Sequence, residues 1–280
     1  MKISDVDTCA FCPRLCRHVC PVAVGTGREA GTPTSMMTGV WQWLRGHADD
    51  DTAWTHASLC TSCGACTEAC KLDRPVADLL AQARAATQTP PAPPTVPTIE
   101  GTGPWVAVET DKRRWAEALA DRLGEPVARL RSHDELGEQL LDHQGVLQEH
   151  GRNLRARIGD RTLVIASGGA WRVARAAGLD ARHLHELAPA PRDAPSFHPC
   201  IGPAPGGPSC EDALACCGAA GPLPAAHPQI ASELGRDMAA RLDGIPHVTS
   251  DARCANWLRV HGARVTDPID HLLANRDKAC

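Results

Sequence analysis

The chain has 280 residues, 43% of them hydrophobic and 22% charged, with a formal net charge of -4. That balance fits one large or two modest globular domains and offers no basic face for nucleic acid. With no Tyr and two Phe, Ala, Leu and Val are left to fill the interior.

Fourteen cysteines are the anomaly. The opening "MKISDVDTCAFC" has polar residues where a secretory signal needs an apolar run. No stretch nears the roughly 18 apolar residues of a membrane span. A cytoplasmic, reducing location is therefore expected, and with it metal ligation rather than disulfides.

The first run is Cys9-x2-Cys12-x3-Cys16-x3-Cys20-Pro21. Arg14, Arg17 and His18 lie inside it, either offsetting cluster charge or solvated. An insert of 39 residues follows, with Trp41, Trp43 and Trp54 as core packing or as shields against water. The second run is Cys60-x2-Cys63-x2-Cys66-x3-Cys70, the spacing of bacterial ferredoxins for [4Fe–4S] ligation. Three thiolates two residues apart wrap one cubane in a tight loop, and Gly64 lets that loop bend. The fourth cysteine is expected to open the next helix.

In two-cluster ferredoxins the fourth cysteine of each run ligates the other cluster. Crossed in that way, the first cluster uses Cys9, Cys12, Cys16 and Cys70, and the second uses Cys60, Cys63, Cys66 and Cys20. The first run carries one extra residue, and Lys71 stands where a proline usually follows. Two four-cysteine zinc sites are the alternative.

Val76, Leu79, Leu80 and Ala83 share one helical face. The Pro- and Thr-rich stretch 87–104 reads as a linker. Beyond it, Trp105–Glu109 is a strand and the segment around Trp115, Leu119 and Leu123 a helix stopped by Gly124. "RTLVIAS" is a buried strand, Gly168-Gly169 a strand-to-helix turn, and "AWRVARAAG" a helix. Further elements are helices near "QIASELGRDMAARL" and "CANWLRVHG" and a strand near "IPHVTS". The alternation predicts an α/β domain with a mostly parallel sheet.

Six cysteines follow the linker, at 200, 210, 216, 217, 254 and 280. Cys216 and Cys217 can face one site only if the chain turns, which Gly218 permits. His198 is a candidate further ligand, and His198 and His227 are equally readable as loop histidines. The arrangement "HPC…CCG…SDxxC" resembles the cysteine-rich CCG domain of heterodisulfide reductase subunits, of the glycolate oxidase iron–sulfur subunit and of related dehydrogenase subunits. In several of these a two-cluster ferredoxin module comes first, as here. The resemblance implies that Cys200, Cys216, Cys217 and Cys254 ligate a third centre, an iron–sulfur cluster or zinc. Asp251 stands where some members have a further cysteine.

The expected architecture is a helical two-[4Fe–4S] ferredoxin-type α+β domain over 1–86, the linker, and an α/β CCG-like domain over 105–280. The resemblance implies an electron-transfer subunit between a flavoprotein dehydrogenase, for a 2-hydroxy acid or similar substrate, and quinone or another acceptor. A membrane contact would come through a partner. Two other readings stay open: a heterodisulfide-reductase-like thiol/disulfide enzyme, and a zinc-binding interaction module.

Overall fold

The computed structural model describes residues 1–12, 15–109, 113–131, 136–189, 196–197, 216–242 and 244–276. The first 87 residues are helical: α1 (Ile3–Phe11), α2 (Pro21–Thr26), α3 (Pro33–Leu44), α4 (Asp50–Ala57), α5 (Ala65–Glu68) and α6 (Val76–Thr87). Local chemistry starts these helices. The Thr32 side chain accepts from the Ser35 amide ahead of Pro33, and that of Asp49 accepts from the Thr52 amide. Both satisfy backbone donors that a helix start leaves unpaired. Val6, Met36, Met37, Val40 and Leu80 form the interior. The four apolar residues expected on one face of α6 are all buried.

The rest alternates: β1 (Ile99–Glu100), β2 (Trp105–Glu109), α7 (Ala116–Leu123), β3 (Val127–Arg131), α8 (Gln144–Ile158), β4 (Thr162–Ile165), α9 (Gly168–Ala176), β5 (Ala181–His183), α10 (Leu184–Leu187) and β6 (Ser196–Phe197). Then come α11 (Leu223–Ala226), α12 (Pro228–Arg241), β7 (His247–Thr249), α13 (Ala252–Val260), β8 (Val265–Thr266) and α14 (Pro268–Arg276). One sheet has the order β1-β3-β2-β4-β5, parallel except for the antiparallel edge strand β1. Ile99 and Glu100, inside the stretch read as a linker, thus belong to the sheet. Val106, Ala107 and Val108 of β2 are buried on both faces, as a parallel sheet between helix layers requires. α8 and α9 cover one face, while α7 and α14 cover the other.

The mostly parallel sheet expected from the alternation is present, and a second sheet joins it. β6, β7 and β8 form a second, three-stranded parallel sheet. The strand ends meet where the Ala252 amide donates to the Ala166 carbonyl at 2.9 Å. The helical part and the C-terminal segment also share a core, because Leu223, Ala231 and Leu234 pack in the same cluster as Val22, Met36 and Leu80. Arg28, just after α2, pairs with Glu233 on α12 at 2.7 Å across that boundary.

Candidate metal centres

The loop of the second cysteine run winds through two left-handed residues, Ser62 at φ 57° and Gly64 at φ 82°. Gly64 then caps α5, so the bend expected of it is present. The loop turns its thiols inward. Cys60, Cys63 and Cys66 line one cavity together with Cys20, and Pro33, Met36 and Leu80 complete its wall. Cys20 comes from 40 residues earlier in the chain, at the N-cap of α2. Burial, then the nearby Cys216 and Cys60, pushes the Cys63 thiol up to about 12. Burial and neighbouring cysteines likewise raise the pKa values of Cys20 and Cys66.

The first run gathers a different set. Burial raises the Cys9 thiol to about 11, with Cys70, Cys12 and Cys16 each adding to the rise and Arg74 opposing it. Cys16 is raised by burial, with a Thr34 hydrogen bond working against the rise and Cys12 and Cys70 adding to it. Cys70 therefore stands among the thiols of the first run and Cys20 among those of the second. Cys70 does not open a helix as expected. It lies in the turn between α5 and α6, where its sulfur accepts from the Arg74 amide at 3.4 Å. The Ser62 amide donates to the Cys60 sulfur at 3.3 Å. Such N–H···S contacts lower electron density on a thiolate and are one lever on a cluster's potential.

Trp41 and Trp43 of the insert are half-buried staples. Trp41 donates to Asp7 at 2.6 Å and Trp43 to Asp50 at 2.7 Å, and both pack against the core. Arg17 pairs with Glu29 at the surface. Arg14 lies outside the described residues. Arg84, to which the cysteine spacing does not point, is 1% exposed. It donates to Asp142 at 2.6 and 2.8 Å, to the Ala57 carbonyl at 3.1 Å and to the Ser62 hydroxyl at 3.0 Å. A charged residue at a helical apolar position is the signal that could have marked it.

In the C-terminal part Cys216, Cys217 and Cys254 are buried, and the Cys217 and Cys254 sulfurs are 3.2 Å apart. The turn expected at Gly218 is there at φ 84°. A Cβ on Gly218 would sit 2.7 Å from the Ala231 carbonyl oxygen, so only glycine fits without a shift. Cys216 accepts from the Gly218 amide at 3.4 Å, and it adds to the rise of the Cys63 thiol. Cys200, Cys210, Cys280 and His198 lie outside the described residues. His227 pairs with the Ser58 hydroxyl at 2.9 Å, and burial lowers its pKa. The Asp251 carboxylate caps two helices, accepting from Arg253 and Cys254 of α13 at 2.8 and 2.9 Å and from Gly168 of α9 at 2.5 Å.

The donor set fits an iron–sulfur core. Buried thiols that raise one another's pKa values resist ionising together, and a bound cationic core removes that penalty. Zinc would draw four sulfurs to within about 4 Å of one another. Among the described residues, no three Cys, His, Asp or Glu side chains form such a single-ion group. No helix among the described residues is long and apolar enough to cross a membrane.

A small helical unit in which Cys20, Cys60, Cys63 and Cys66 line one cavity fits a ferredoxin-type iron–sulfur module. Residues 5–73 match the 4Fe-4S dicluster domain family. The chain has no significant match among curated proteins or among solved structures.

Proposed function

We propose that the chain is an iron–sulfur electron carrier with two [4Fe–4S] clusters ligated in crossed fashion. Cys9, Cys12, Cys16 and Cys70 hold one cluster, and Cys60, Cys63, Cys66 and Cys20 hold the other. The cavity lined by Cys20 together with Cys60, Cys63 and Cys66 is the observation that carries this reading. The match of residues 5–73 to a dicluster domain supports it independently.

Cys216, Cys217 and Cys254, completed by Cys200, are a third redox centre beside the second cluster. The CCG-like pattern supports this, as does the contribution of Cys216 to the raised pKa of the Cys63 thiol. The role is that of a subunit between a flavoprotein dehydrogenase and quinone or another acceptor, cytoplasmic, and peripheral to the membrane through a partner. Substrate chemistry would belong to the flavin.

Iron, zinc and acid-labile sulfide per chain, with EPR after dithionite reduction, test the proposal. Two clusters give about eight iron, and a third cluster about twelve, with the extra signal lost in Cys217→Ala. Stoichiometric zinc with little sulfide overturns it.

The 3.2 Å approach of the Cys217 and Cys254 sulfurs favours a second reading, thiol/disulfide chemistry at that site. A disulfide-reductase assay with a reduced dye separates an enzyme of this kind from a carrier.

A further inference from the structure

A cleft of about 1570 Å³ opens between the helical module and the α/β part, and the Cys63 loop forms part of its wall. It exceeds the roughly 300–1,000 Å³ of drug-sized sites, so a mononucleotide fits with water to spare. The polar groups on its two sides differ in sign. The wall around Cys63 carries Glu68 and Asp78, while α9 on the other side presents Trp171, Arg172 and Arg175.

Two further cations in the lining are already neutralised, Arg84 by Asp142 and Arg253 by Glu138. Arg172 and Arg175 differ. Arg172 reaches the Ser62 carbonyl at 3.5 Å, and Arg175 stands 6.0 Å from the Trp171 ring centroid. Neither has a carboxylate partner among the described residues. Three residues apart on one helix, they share a face. The indole N–H of Trp171 is buried with no hydrogen-bond partner among the described residues, a donor left over where such groups are normally satisfied.

From these features we infer that the cleft binds a phosphorylated planar redox ring, the class to which flavin mononucleotide belongs. The phosphate sits on Arg172 and Arg175, which present fork-shaped donors. The uncharged ring lies against Trp171, in the cleft whose wall includes the Cys63 loop. This inference rests on the two-cluster reading for its purpose, but the site itself is made by α9.

The test is titration of the anaerobically purified, cluster-loaded chain with flavin mononucleotide and, separately, with riboflavin, read by quenching of flavin fluorescence. Saturable binding of flavin mononucleotide is expected, at least tenfold tighter than riboflavin and weakening with salt. Arg172→Ala with Arg175→Ala should erase the preference for the phosphate while iron content stays unchanged. Absence of flavin mononucleotide binding overturns the inference, as does equal binding of the two flavins with no effect of the arginine variants. Iron and EPR on the same samples report on the two-cluster reading separately, so two cubane signals without flavin binding sink this inference alone.

Discussion

Arg84 and Asp142 join the helical module to the α/β part through a paired contact of 2.6 and 2.8 Å. The same guanidinium holds the Ser62 hydroxyl, in the middle of the second cysteine loop. Removing one partner of a buried ion pair is strongly destabilising, by about 3–5 kcal/mol. Asp142 keeps some contact with water, with 21% of its side chain exposed, so the lower end applies. Arg84→Ala is expected to cost about 3 kcal/mol in anaerobic urea unfolding and to shift the potential of the second cluster, read by EPR-monitored titration. An unchanged potential would mean that Ser62 does not depend on Arg84 for its position.

Asp251 serves as the common cap of α9 and α13. Each N-cap contributes about 0.5–2 kcal/mol, so Asp251→Ala should cost about 1–4 kcal/mol in urea unfolding. Iron content should not change, because all three donors to this carboxylate are backbone amides. Loss of iron would make Asp251 a ligand rather than a cap.

His183 gives the fold an acid limit. Burial, and then the neighbouring His185, pushes its pKa down to about 3. Its Nδ1 accepts from the His185 amide at 3.5 Å, which a proton there would block. In the unfolded chain the ring titrates near its ordinary value, about 6.5. Between that value and about 3, only the unfolded state takes up the proton, so stability falls as pH falls, by up to about 1.4 kcal/mol per unit. His183→Asn should flatten the slope of unfolding free energy against pH between 6 and 5. An unchanged slope would place the acid sensitivity elsewhere.

The helix of Val76, Leu79, Leu80 and Ala83 and the strand Trp105–Glu109 were legible because period and burial agree. The cysteine spacing was legible because a cubane imposes it. α8 was not, since its mean composition is polar and only Leu147, Leu154 and Ile158 mark its inner face. β3 alternates as "VARLR", with an arginine at its centre, and gave no strand run to read. Of the second sheet only β7, near "IPHVTS", was legible, because β6 and β8 have two residues each, too few to show a period. The sharing of a core between α2 and α12 is a tertiary matter that no local pattern announces.

Crossed ligation is the central claim, and paired cysteine variants test it most directly. Iron per chain is measured in Cys20→Ala/Cys60→Ala and in Cys9→Ala/Cys20→Ala. Crossing predicts that the first pair disables one cluster and loses about four iron relative to the native chain, while the second disables both and loses about eight. The reverse, a loss of about eight iron in the first pair and about four in the second, would mean that each run holds its own cluster and would contradict the account.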